Sequence, residues 1–193
     1  MVQARLRFKN FEEYLLVNPE DLPEGPHVYV DGELVAVSPE SRVNLLIARY
    51  LSKCLEASGV PFELIYCHAF EIEVPVFSQI REQTRYPDLV VIRPEHLELT
   101  ENRATITVDM PAPQLVAEVV SGGDENRRRD YQAKRKQYEA RGIPEYWLID
   151  PEKQQIIVLS LAGDNYAESG VFQGGDRESC AMQLVRNGVN RHF

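Results

Sequence analysis

Residues 115–120, Leu-Val-Ala-Glu-Val-Val, form a near-continuous apolar run. Such a run is expected of a central strand covered on both faces, so the chain must layer other elements over a sheet. Glu118 stands in the middle of it. Burying a lone ionised carboxylate costs several kcal/mol unless something pairs with it, and a sequence chosen for stability alone would carry Val or Ile there. The run is followed by a Ser-Gly-Gly turn and by a helix crowded with Arg and Lys, which ends at Gly142 with Pro144 just beyond. Glu118 needs a cation.

The other elements fit a layered α/β plan. Phe11–Leu16 begins a short helix that ends near Asn18-Pro19, and residues 27–40 alternate around Asp31-Gly32, a hairpin signal. From Ser41, the positions Val43, Leu46, Ile47, Tyr50, Leu51, Cys54 and Leu55 predict a helix with one buried face ending near Gly59. Residues 61–66 and 68–76 read as strands. In the second, Phe70, Ile72 and Val74 alternate with Glu71 and Glu73. Residues 86–94 form a strand bounded by prolines, and 103–111 a short edge segment. After the basic helix, 145–150 and 154–161 read as a hairpin. The order is helix, strand, strand, strand, helix, strand, with peripheral hairpins. This predicts a single α/β domain over 1–193 with a mixed central sheet flanked by helices.

Length and composition bound the possibilities. At 193 residues and 44% apolar, the chain suffices for one well-buried domain and is short for two. It has no apolar window of roughly 18 residues and no secretory h-region at its start, so neither a membrane span nor an export signal is expected. Cys54, Cys67 and Cys180 are scattered and odd in number, which points to a reducing cytoplasm rather than a disulfide framework. The four histidines show no zinc-ligand spacing. The net charge of −9 argues against a polyanionic partner, but its distribution does not. Of 21 basic and 30 acidic residues, seven and four fall in 124–141, so this helix carries +3 and the rest −12. It is either a ridge for phosphates or a solvated, salt-bridged helix.

Two strands carry candidate chemistry. Asp88 opens the 86–94 strand, with Val90 and Ile92 on its face, and Glu118 shares its face with Val116 and Val120. If the strands pair, two carboxylates converge, and such a pair either raises its own pKa values or holds a divalent cation. Hard oxygen ligands favour Mg²⁺, with Mn²⁺ as a substitute. The structural alternatives are a turn residue for Asp88 and an ion pair with a helix arginine for Glu118.

The segments Tyr86–Ile92, Leu115–Ser121 and Arg127–Pro151, read together, resemble a large family of restriction-endonuclease-like proteins filed under a domain of unknown function. That family belongs to the PD-(D/E)XK nuclease superfamily. The resemblance covers about residues 8–161 and rests on E-V-x-S, D-x-x-x-K-x-x-x-Y and G-I-P-E-Y-W-L-I-D-P together. It implies the restriction-endonuclease-like fold, an α-β-β-β-α-β core, and matches Asp88 and Glu118 to the two acids. The superfamily lysine lies two residues after the second acid, where this chain has Val120. A lysine migrated to the following helix is the substitute, either Lys134 or Lys136. At about 100° per residue these point some 200° apart. Lys134 shares a face with Tyr131 and Tyr138 and is the choice, with an i, i+4 pair to Asp130 as its structural alternative. Glu33 matches a further family acid in G-E-L, and Glu40 is the alternative. After about residue 175 the chain departs from the family pattern.

The reading is a metal-dependent endonuclease, with DNA as substrate. Asp88, Glu118 and a backbone carbonyl would hold Mg²⁺, and Lys134 would serve the attacking water or the developing charge. Arg127, Arg128, Arg129 and Lys136 would place phosphates, and a homodimer would cut both strands. The alternative is a nuclease-derived binding or assembly module whose catalysis has lapsed.

Overall fold

A computed structural model describes residues 7–173. The apolar run is strand β8, Leu115–Val119, buried at all five positions. It lies inside a six-stranded mixed sheet of order β11-β10-β9-β8-β6-β3. Its neighbours are β6 (Leu89–Val91) and β9 (Glu145–Asp150), beyond which lie β3 (Ile65–Cys67), β10 (Gln155–Ala162) and β11 (Asn165–Gln173). β8 and β9 are parallel, and the other pairings in the sheet are antiparallel. Parallel neighbours need a crossover, and the basic helix supplies it, which places that helix over β8. Helix α2, Arg42–Ala57, packs against β3 and β8. The α-β-β-β-α-β core is therefore present.

Local rules account for several elements. Ser41 caps α2, its hydroxyl accepting from the Asn44 amide at 3.1 Å. In the hairpin of β1 (His27–Val30) and β2 (Glu33–Ala36), both Asp31 and Gly32 have positive φ, as a type I′ turn requires. A Cβ on Gly32 would lie 2.5 Å from the Phe8 carbonyl oxygen, so only glycine allows the approach made there.

Three features depart from the sequence reading. The strand at 68–76 shrinks to β4 (Glu71–Glu73) and lies in a separate three-stranded sheet, between β5 (Thr84–Arg85) and β7 (Thr105–Ile106). Its alternation holds, yet Glu71 and Glu73 are buried, because its second face is covered as well. Tyr14 Oη and Thr105 Oγ1 donate to Glu71, while Gln83 Nε2 and the Val108 amide donate to Glu73. Helix α3 (Pro94–Leu99), not foreseen, has Pro94 at its first turn and a buried His96 bonded to the Pro111 carbonyl. On α2 the buried face is Asn44, Ala48, Leu51, Cys54 and Leu55, whereas Val43 and Leu46 are exposed. The apolar period placed that face correctly only in the helix's second half.

The basic helix is not uniform. It runs as α4 (Asp124–Arg128), a π-helical turn (Arg129–Lys134) and α5 (Arg135–Ala140). No helix among the described residues is long and apolar enough to cross a membrane. Cys54 and Cys67 are free thiols. The departure from the family pattern after about residue 175, and Cys180, lie outside the described residues.

Candidate active site

The antiparallel register pairs Leu89 with Ala117, so Asp88 lies directly opposite Glu118 on one face of the sheet. Opposed positions hold their Cβ atoms only about 5 Å apart. The convergence expected from the two strands is therefore a consequence of register. Both side chains are buried, with Asp88 5% and Glu118 1% exposed.

Glu118 has found its cation. Lys134 Nζ lies 2.7 Å from Glu118 Oε2 and 3.2 Å from Asp130 Oδ1, and Tyr138 Oη donates to Glu118 Oε1 at 2.7 Å. The π turn begins at Arg129, so Asp130, Lys134 and Tyr138 all arrive over β8 from one helix. Burial opposes the charge on Lys134, but Glu118 and Asp130 more than offset it, and its pKa is raised. Lys134 is a held ammonium. Lys136, two residues on, is exposed, with its ammonium 4.1 Å from the centroid of the Phe77 ring.

Asp88 behaves differently. Burial pushes its pKa well above the usual carboxylate range and the charge of Glu118 adds to this, while Lys134 and the Val119 amide pull it down. That amide donates to Asp88 Oδ2 at 2.6 Å. His68, with a left-handed φ of 49°, sets Nδ1 3.4 Å from Asp88 Oδ1, and its buried Nε2 has no partner. Burial lowers the His68 pKa against the pull of Glu40 and Glu118, so the ring is neutral near pH 7.

Glu40 acts electrostatically on this cluster, since its charge reaches Asp88, His68 and Arg129. Asn44 anchors Glu40 at 2.9 Å and donates to Ser121 Oγ at 3.1 Å, beside the end of β8. Glu33 sits on β2, in the two-stranded sheet, outside the strands and helix that carry the other candidates.

The three arginines have three fates. Arg127 is engaged by Asp150 and Glu152. Arg129 bonds Asp130 through Nε at 2.9 Å, and those carboxylates keep its pKa raised against burial. Arg128 is exposed and lines a cleft beside the helix together with Arg129 and Lys136.

The donor set fits a hard divalent ion of low protein coordination. Asp88, Glu118, Asp130 and Glu40 supply four carboxylates against the two cations Lys134 and Arg129, and the buried Nε2 of His68, the ring nitrogen not facing Asp88, has no partner. Among the described residues, no group of three or more His, Cys, Asp and Glu side chains is placed to hold a metal ion. An ion here would take Asp88 and Glu118 and complete its shell with water, which is the habit of Mg²⁺.

Sequence reasoning missed His68, because its approach to Asp88 depends on a positive φ that no local motif announces. It used Tyr138 as a marker of the helix face without assigning its hydroxyl to Glu118, although the i, i+4 spacing from Lys134 was visible.

A family model described as "Uma2: Putative restriction endonuclease" matches residues 11–187. A solved structure described as that of "a putative nuclease belonging to DUF820 from Anabaena variabilis ATCC 29413" is similar over 90% of this chain and 97% of its own. The TM-score is 0.56 and the identity 16%, so the likeness is one of fold. None of the curated proteins matches.

Proposed function

The chain belongs to the Uma2 family of restriction-endonuclease-like proteins, and from that premise we propose that it is a divalent-metal-dependent endonuclease acting on DNA. The observation that carries the reading is the Asp88–Glu118–Lys134 cluster. Two carboxylates face each other across paired strands, and a buried ammonium touches one of them. A fold needing only stability gains little from such a group, because buried ion pairs rarely outperform apolar packing.

In this mechanism Asp88 and Glu118 would hold the ion. When bound, Mg²⁺ or Mn²⁺ lowers the pKa of a coordinated water and neutralises charge on the phosphodiester. The chain's own residues do the rest. Lys134, kept protonated by its two carboxylates, orients the attacking water and offsets negative charge as water adds to phosphorus and the P–O bond breaks. Its raised pKa favours this electrostatic role over that of a general base. Tyr138 and Asp130 hold Glu118 and Lys134 in place, and the charge of Glu40 reaches His68 beside Asp88. Arg128, Lys136 and Arg129 place phosphates, while Arg127 braces the helix against Asp150. Cutting both strands of a duplex needs two such sites, which a homodimer in the reducing cytoplasm supplies.

Supercoiled plasmid incubated with the protein and Mg²⁺ or Mn²⁺ should be nicked and linearised, with EDTA and Asp88→Asn each stopping the reaction. Cleavage that survives EDTA would remove the metal from the mechanism. With no cleavage under any divalent ion, the closed ion cluster is the relic of a lapsed site and the chain is a binding module.

A further inference from the structure

A cleft of about 740 Å³ lies beside the ion cluster, between the Phe77–Ile80 turn and the outer face of the basic helix. Phe77 and Ile80 exchange both backbone hydrogen bonds at 3.0 Å, which leaves Ser78 and Gln79 exposed at the tip. The ends of this segment are clamped to the helix by Gln137, which is fully buried. Its Nε2 donates to the Pro75 and Glu82 carbonyls at 3.0 and 2.7 Å, and its Oε1 accepts from Arg85 Nε at 2.7 Å. The turn is thus a preformed wall rather than a loose loop.

The opposite wall carries Arg128, Arg129, Gln132 and Lys136. Glu82 and Glu125 also border the cleft, and Glu82 lies 3.4 Å from Arg85. Lys136 spans the gap to sit over Phe77. Arg129 links the cleft to the site, since it lines the cleft while bonded to Asp130, the carboxylate that holds Lys134. Cations on one side and an aromatic face on the other form the pairing that single-stranded nucleic acid uses, phosphates on the first and a stacked base on the second. The volume is that of a pocket for a compact ligand. A B-form duplex, whose major groove alone is about 12 Å wide, does not enter it.

Resting on the nuclease reading, we propose that this cleft takes one or two unpaired nucleotides beside the scissile phosphate, with a base stacked on Phe77 and a phosphate on Arg128 and Lys136. The Lys136 ammonium leaves the ring as the base arrives, so the cation is released toward the phosphate in the same movement. Substrates with an overhang, a flap or an extruded base are favoured over an uninterrupted duplex.

Fluorescence anisotropy in EDTA tests this without cleavage, using a labelled blunt duplex and the same duplex with a single-stranded overhang at either end. The wild type should bind the overhang probe more tightly. Phe77→Ala should weaken that binding by about tenfold and abolish the preference. Phe77→Trp should keep it, and Phe77→Leu, which preserves apolar packing against the turn, should lose it as Phe77→Ala does. Arg128→Ala should weaken the overhang probe more than the blunt duplex, since only the overhang sets a phosphate on it within the cleft. Absent or indifferent binding by the wild type overturns the cleft assignment, as does a preference that survives in Phe77→Leu. Metal-dependent cleavage of plasmid by the same wild-type preparation separates the two readings. Cleavage without overhang preference sinks the cleft alone, and preference without cleavage sinks the nuclease reading while the cleft stands.

Discussion

Asp88 and Lys134 respond to the same cluster in opposite ways, and each yields a measurable consequence. The raised pKa of Asp88 means that the native state binds its proton more tightly than the unfolded chain does. The resulting stabilisation is complete below the unfolded carboxyl pKa, about 3.9, and is lost as pH rises through the higher folded value. In EDTA, Asp88→Asn should therefore gain Tm over the wild type, by a margin that widens with pH across that window. The asparagine oxygen can still accept from the Val119 amide. A margin that shrinks as pH rises would mean the carboxylate is stabilised in the fold. Lys134→Met leaves Glu118 and Asp130 without their shared ammonium, and should cost about 3–5 kcal/mol. Cleavage assayed below the variant's Tm should fall about 10²-fold or more, the scale of a positioned proton-bearing group. Lys136→Met, altering an exposed side chain, should leave Tm nearly unchanged and lower cleavage only as far as one lost phosphate contact weakens substrate binding. Full activity in folded Lys134→Met would reduce this lysine to an ion-pair partner.

At the scale of the element, the basic helix is where the site and the cleft are joined, and Gln137 is its hinge pin. One amide closes three hydrogen bonds to the 75–85 segment. Gln137→Ala should therefore cost about 2 kcal/mol or more in chemical denaturation, because buried partners are left unsatisfied. Hydrogen exchange should quicken across residues 75–82 and remain unchanged in β8 and β9. Uniform acceleration over the whole sheet would show that the clamp stabilises the core and not the turn. The helix also shows the limit of periodicity. A 100° step placed Lys134 toward the sheet, and the structure puts it there, although the turn containing it is π-helical. The reading survived because Lys134 and Tyr138 share a face in either geometry, whereas the π turn itself has no sequence signature.

Across the whole molecule, charge is sorted by partner rather than by sequence position. Adjacent arginines are a carboxylate brace, an exposed cleft residue and a site-edge cation. Burial opposes it, but the Lys153 amide and Arg127 hold the Asp150 carboxyl below its usual range. That stability is present above the unfolded pKa and lost as pH falls through the folded one. Arg127→Ala should accordingly lower Tm at neutral pH and flatten its acid dependence, with little effect on nucleic-acid affinity. Arg128→Ala should leave Tm alone and reduce the salt slope of binding by about one counterion. If the two variants exchange these effects, the phosphate path runs over Arg127.

How far the sequence reaches follows from what each signal depends on. The apolar run, its lone acid, the glycine turn and the basic helix determined the layered fold, the order of the core and the need for a cation at Glu118. These are properties of neighbouring residues, fixed by burial cost and by the period of strand and helix. Strand register decided that Asp88 stands opposite Glu118, and the crossover decided that Lys134, not an arginine, reaches it. Covering of a second face turned Glu71 and Glu73 from surface acids into buried ones. His68 and the Phe77–Ile80 wall entered the picture only through contacts between residues far apart in the chain. Such contacts depend on packing and on a left-handed backbone at His68, which no local pattern encodes.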